Sequence, residues 1–199
     1  MGTAREKWDN IYNQSSTQAV QASEVLLENQ HLLPTAGVAV DLACGLGANA
    51  ILLAQAGLQT HAWDISPVAL GKCHAQADRL QVVVHTAVRD IEQHPPERDR
   101  FDVVVLSHFL HRPTFTYLID SLKPGGCLFY QTFVADKDPD IGPSNKNYLL
   151  QSNELITRCQ GMQILVYREE SNQGNQQLGW RNQAMIVARK SLPIDGYHR

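Results

Sequence analysis

The chain has no run of lysine or arginine, and its formal charge is only −3. Nucleic acid and anionic membrane surfaces are therefore poor candidates for its main partner. The four cysteines, Cys44, Cys73, Cys127 and Cys159, form no C-x-x-C pair, so neither a disulfide framework nor a zinc site is indicated. No apolar stretch approaches the ~20 residues that cross a bilayer. The polar opening from Met1 to Lys7 lacks the apolar core of a signal peptide, and its sixth residue is not the Ser or Thr of a myristoylation signal. Repeats and low-complexity blocks are absent as well. These exclusions lead to the expectation of a soluble, cytoplasmic protein, a monomer or homodimer. Its 199 residues are most simply one domain over 1–190 with a flexible tail at 191–199.

What the chain does have is Gly37-Val-Ala-Val-Asp-Leu-Ala-Cys-Gly-Leu-Gly-Ala-Asn-Ala50. Val38 to Leu42 reads as a strand buried on both faces. Gly45 and Gly47 let the backbone turn and approach a ligand without Cβ atoms in the way. Ala48 to Ala56 follows as a helix apolar nearly all round, with Gly57 placed to end it. This is the first βα unit of a cofactor-binding α/β fold. The segment also matches the dinucleotide fingerprint G-x-G-x-x-G/A, and a third reading uses the glycines for packing alone. Asp41 argues against a dinucleotide, because a carboxylate beside the loop repels a pyrophosphate and attracts a cationic ligand.

Two helices are expected before this unit, over 4–14 and 18–31. Trp8, Ile11 and Tyr12 share one face of the first, which either packs it on the domain or caps a ligand. Leu58 to Trp63 reads as the second strand. Asp64 ends it, about 20 residues past the glycine loop, where an acid can accept from ribose hydroxyls or cap the next helix. Ser66 and Pro67 start that helix as N-cap and first helical residue. Gln81 to Thr86 is the third strand, and Asp90 after it is either a turn residue or a ligand contact. Phe101 to Leu106 is the fourth strand. It runs into Ser107-His-Phe-Leu-His-Arg-Pro113, where two histidines without a third ligand make a weak metal site; no metal is expected. A helix from Pro113 to about Leu122 precedes a fifth strand, Cys127 to Phe133. Residues 134–149 have no period and read as a lid loop. A helix over 150–159 and strands over 162–167 and 180–190 complete the chain, the last two as an antiparallel pair.

Several of these stretches together resemble the class I S-adenosylmethionine-dependent methyltransferases. They are Asp41-Leu-Ala-Cys-Gly-Leu-Gly47, with Ala43 where the first glycine usually stands; Trp8-Asp-Asn-Ile-Tyr12; Phe101-Asp-Val-Val104; and Leu122-Lys-Pro-Gly-Gly126. Within that class, Phe109-Leu-His-Arg-Pro113, Tyr130-Gln-Thr-Phe133 and Gly142-Pro-Ser-Asn-Lys-Asn-Tyr-Leu-Leu150 look closest to tellurite-resistance-type, small-molecule methyltransferases. The resemblance implies a Rossmann-like, doubly wound seven-stranded sheet, mostly parallel with an antiparallel last strand, and N-terminal cap helices over 1–33. It implies S-adenosylmethionine, released as S-adenosylhomocysteine, bound at Asp41, Ala43, Cys44, Gly45, Gly47, Asn49, Asp64, Ile65, Asp90, Ile91, Leu106 and Ser107. A small-molecule substrate would lie beside Trp8, Tyr12, Gln131 and Tyr148; relatives often carry glutamate where Gln131 stands. His108 and His111 are the candidate bases. No Asn-Pro-Pro-Tyr or Asp-Pro-Pro-Tyr follows the fourth strand and no cysteine follows a proline, so amino-group methylation of adenine or glutamine and cytosine C5 methylation lack their residues. The expected acceptor is a soft nucleophile, a thiol or a selenium or tellurium species, which needs no base once ionised. The competing readings are a non-catalytic cofactor-binding regulatory or assembly protein and a dinucleotide-dependent oxidoreductase.

Overall fold

The computed structural model describes residues 2–15 and 21–192. Seven strands form one sheet: β1 Val38–Leu42, β2 Gln59–Asp64, β3 Val84–Val88, β4 Phe101–Ser107, β5 Leu122–Phe133, β6 Gln163–Glu169 and β7 Gln183–Arg189. Their spatial order is β3-β2-β1-β4-β5-β7-β6. β1 to β5 run parallel to one another, and β7 runs antiparallel between β5 and β6. The strand order reverses between β1 and β4, which opens a crevice at the carboxyl ends of those strands.

Side-chain alternation along the central strands explains the layering. Val40, Leu42, Val104 and Leu106 face one core with Phe115, Leu118 and Leu155, from α5 (Phe115–Ser121) and α6 (Glu154–Arg158). Ala39, Val103 and Val105 face the other, with Val25, Leu26 and Leu53, from α2 (Glu24–Leu27) and α3 (Ala48–Gln55). α4, Pro67–Arg79, packs its Cys73 and Ala77 with Ala50, Ile51 and Val84 in a third cluster. α1, Ala4–Gln14, closes its N-terminus with a Thr3–Glu6 capping box and buries none of its residues.

Several element boundaries differ from the expectation. The helix expected over 18–31 is the single turn α2 followed by a 3-10 turn, Gln30–Leu32; positions 18–20 lie outside the described residues. Ser23 is extended because its N–H and hydroxyl both go to Asn49 Oδ1, at 2.9 Å each. The third strand starts at Val84, not Gln81. Gln81 takes a left-handed φ of 56° after α4, and the Val82 N–H returns to the Ala77 carbonyl at 3.1 Å, a Schellman closure that keeps Gln81 and Val82 out of the sheet. β5 begins at Leu122, paired with Phe101, and shifts register before Cys127 meets Val103. α6 is shorter than 150–159 because Leu150 bridges Val134 and Asn153 is left-handed at φ 60°. Of the tail expected to be flexible, 193–199 lies outside the described residues.

Candidate active site

The loop after β1 is built on three left-handed residues, Ala43 at φ 49°, Gly45 at 52° and Gly47 at 80°. Gly47 is required by close packing, since a Cβ there would lie 2.1 Å from Cys73 Sγ. Ala43 carries a side chain in a conformation that disfavours one. The loop is fastened to the end of β2 by Asp64. Its Oδ2 accepts from Gly45 N at 2.8 Å and its Oδ1 from Ser66 N at 2.8 Å. Burial pushes this carboxyl up despite those bonds.

Asp41 lies behind the loop rather than in its opening. It is 1% exposed and accepts from Ala50 N at 3.2 Å and Asn49 Nδ2 at 3.4 Å. Burial moves its carboxyl from 3.8 up to about 7. Asn49 is the hub of this corner. Its Oδ1 takes Ser23, and its Nδ2 serves Asp41 and, at 3.1 Å, Ser107 Oγ. All four of its hydrogen-bonding positions are thus used within the protein.

α1 covers the loop. Tyr12 places its hydroxyl where a Gly45 Cβ would be 2.8 Å away, and Trp8 stacks on Tyr12 at 5.7 Å between ring centroids. Asp9 accepts from Ser66 Oγ, and Lys72 donates to the Tyr12 carbonyl and, at 2.8 Å, to that of Ser15. A cation at those carbonyls also complements the helix dipole. Burial, then the charges of Asp64, Cys44 and Asp41, push the Tyr12 phenol well above its usual range. The Cys44 thiol is held far up by burial, which disfavours its thiolate.

These elements enclose a cavity of about 500 Å³ at the carboxyl edge of β1, β2 and β4, a size suited to a cofactor. Of the residues expected there, Trp8, Tyr12, Ala43, Cys44, Gly45, Gly47, Asn49, Asp64, Ile65, Asp90, Ile91, Ser107 and His108 line it. Five do not. Besides Asp41, Leu106 points into the core at 2% exposure. Gln131 is fully buried one layer behind. His111 turns aside, with Nδ1 2.6 Å from Thr114 Oγ1 and Nε2 3.8 Å from Glu92. Tyr148 is on the exposed surface, because Arg112 holds the Asn147 and Leu149 carbonyls at 2.9 Å each and pairs with Glu154. Sequence reading missed Ser23, Glu24, Arg89, Glu92 and Phe109, which also line the cavity. Ser23 and Glu24 were hidden inside an expected helix. A Ser-Glu pair at a helix start was the available signal.

The charge of the cavity selects its ligand. Glu24, Asp64, Asp90 and Glu92 line it and Asp41 lies beneath, against one arginine. Arg89 is spent on the His94 and Pro95 carbonyls and Glu97, and its guanidinium lies 4.1 Å from the Trp63 ring. A pyrophosphate would meet carboxylates here, whereas an ammonium or sulfonium is favoured. The residues therefore fit S-adenosylmethionine and disfavour a dinucleotide.

Fold and site define the chain as a Rossmann-like cofactor-binding domain with a glycine loop at the carboxyl edge of the sheet. Residues 39–126 match the family profile described as a methyltransferase domain, and several of the solved structures the chain is similar to are described as S-adenosylmethionine-dependent methyltransferases. No curated protein sequence matches it. Among solved structures, one described for the conversion of a disulfide bond into a thioacetal group during echinomycin biosynthesis superposes with a TM-score of 0.71 at 20% identity, covering 97% of this chain and 95% of that one. TehB from Haemophilus influenzae gives 0.70 at 18% identity over 92% and 67%. Phosphoethanolamine N-methyltransferase 2 from Haemonchus contortus, in complex with S-adenosylmethionine, gives 0.66 at 16% identity over 83% and 51%.

Proposed function

We propose that the enzyme transfers the methyl group of S-adenosylmethionine to a small soft nucleophile, a thiol or a selenium or tellurium species. The observation that carries the reading is the cavity between α1 and the glycine loop, lined by carboxylates and covered by Trp8 and Tyr12. Asp64 would take the ribose hydroxyls with the lone pairs left after its two backbone bonds. Asp41 would stabilise the ammonium end through the field behind the loop. Asp90 and Ile91 would flank the adenine. The cofactor supplies an activated methyl group, so the protein mainly aligns the acceptor and excludes water. A covered space of this size favours a small acceptor over a macromolecule, and the weak net negative charge accords with no nucleic-acid or membrane partner. The thiol option draws support from the structural neighbour whose own reaction takes place at sulfur, and the tellurium option from the likeness to TehB. Four unpaired cysteines suit the cytoplasm, and no helix among the described residues is long and apolar enough to cross a membrane.

The test is a screen of low-molecular-weight thiols, selenite, tellurite, amines and catechols for release of S-adenosylhomocysteine and a methylated product. Turnover confined to thiols or chalcogen species supports the reading. Turnover confined to amines or alcohols contradicts it.

A further inference from the structure

A chain of three side chains, Gln131, Gln183 and His108, with Glu24 as a branch, runs from the backbone of α2 to the cavity wall, and its hydrogen-bond polarity is set at one end. The Val25 N–H can only donate, and it donates to Gln131 Oε1 at 2.7 Å. The Gln131 amide nitrogen must then donate, and it does so to Glu24 Oε2 and, at 2.9 Å, to Gln183 Oε1. Gln183 thereby presents an acceptor to its other neighbour, His108 Nε2, 3.0 Å away. The proton of the neutral imidazole must therefore be on Nε2, which leaves the lone pair on Nδ1. Gln131 is fully buried, so neither end of its amide can trade its partner for water. His108 is held further by a left-handed backbone at φ 56° and by its ring against Phe133, 5.3 Å between centroids. Among the described residues Nδ1 has no hydrogen-bond partner, and His108 lines the cavity.

We propose that Gln131 and Gln183 fix His108 as its Nε2–H tautomer so that Nδ1 takes the proton from a neutral thiol-like methyl acceptor. The proposal rests on the methyltransferase reading and narrows its acceptor. A free thiol titrates near 8.5 and is mostly protonated at neutral pH, so its methylation gains from a base. Glu24, Asp90 and Glu92 at the same cavity repel a selenium or tellurium oxyanion. In the step, the thiol S–H bond breaks and its proton goes to Nδ1. The sulfur electron pair forms the new bond to the methyl carbon, and the pair of the old carbon–sulfur bond stays on the departing thioether. The proton then passes from exposed His108 to solvent. His108 is the catalytic residue here; Gln131 and Gln183 are positioning residues.

The polarity of the chain can be inverted without changing its composition. In the double variant Glu24→Gln/Gln131→Glu the buried carboxylate accepts from Val25, from residue 24 and from a reversed Gln183 amide. That amide then donates to His108 Nε2 and forces the proton to Nδ1. Nitrogen-15 NMR of the ligand-free protein reads both ring nitrogens directly. The expected result is Nε2–H in wild type, Nδ1–H in the double variant, and at least a 100-fold loss of turnover with thiols; Gln183→Met, outside the cavity lining, should keep S-adenosylhomocysteine affinity within about threefold of wild type. Gln183→Met serves if the double variant does not fold; it should release the ring to a tautomer mixture. Wild type with the proton on Nδ1, or a tautomer ratio that neither variant moves, overturns the proposal. If the tautomers respond as expected but wild type methylates no thiol, the positioning chain stands and the base role and thiol acceptor fall. The acceptor screen separately tests the methyltransferase reading.

Discussion

Asp64→Ala should damage stability and cofactor binding by separate, calculable amounts. The carboxylate is 5% exposed and is the acceptor for two backbone donors, Gly45 N and Ser66 N, each at 2.8 Å. An unpaired buried donor costs about 1–3 kcal/mol, so the two together set a loss of roughly 2–6 kcal/mol. Burial already pushes the carboxyl up, and deleting the charge returns part of that cost, which places the net loss at about 2–3 kcal/mol. For a chain of this length that is a fall in Tm of roughly 4–12 °C. Losing charge-assisted bonds to the ribose should separately weaken S-adenosylhomocysteine by about 10- to 150-fold. Asp64→Asn keeps one acceptor and should fall between wild type and alanine on both scales. Thermal unfolding without ligand and titration calorimetry with it read the two terms independently. An unchanged Tm refutes the anchoring of the glycine loop by Asp64, and an unchanged affinity removes Asp64 from the cofactor site.

Ala43→Gly should raise Tm by about 1–4 °C. Release from the left-handed conformation gains about 1–2 kcal/mol, offset by about 0.5–1 kcal/mol of chain entropy, and a lower Tm contradicts the strain. Asp41 makes stability pH-dependent. Its folded carboxyl titrates at about 7 against 3.8 in the open chain, so the folded state holds the extra proton between those values. The stability it contributes is present below pH 3.8 and lost as pH rises through about 7. Wild-type stability measured against Asp41→Asn should therefore decline between pH 3.8 and about 7, and a constant difference contradicts this. Residues 134–149 are proposed to close when cofactor and substrate bind, hinged at the Arg112–Glu154 anchor. Proteolysis in that loop should slow on adding S-adenosylhomocysteine, and equal cleavage counts against closure.

The sheet was legible because its strands are written twice, as apolar runs and as alternation. Val38–Leu42 and Phe101–Ser107 are bounded by glycines or polar turns, and both stand as strands. The starts of α4 and α3 were legible for local reasons as well: Ser66 and Pro67 in one case, the Gly45–Gly47 turn in the other. What failed was set by tertiary partners. Ser23 was hidden because its helical N–H is claimed by Asn49, 26 positions later. Tyr148 was expected in the cavity from its place in a long loop, yet Arg112 and Glu154 fix that turn elsewhere. At the site, the glycine loop and Asp64 could be read from order alone, since topology gathers them at one edge, whereas the strand residues Asp41 and Leu106 turn into the interior. Which of the two nearby histidines, His108 and His111, lines the cavity could not. That depends on the left-handed φ of His108 and on Gln183 and Phe133, which lie on strands of later sequence.

The central claim is that this cavity holds S-adenosylmethionine and not a dinucleotide. A thermal-shift comparison of S-adenosylhomocysteine with NAD tests it most directly. At 100 times its dissociation constant, a ligand bound only to the native state adds about 2.7 kcal/mol, or roughly 5–11 °C here. The account predicts such a rise with S-adenosylhomocysteine and none with NAD. A rise with NAD alone, or no response to saturating S-adenosylhomocysteine, would contradict it.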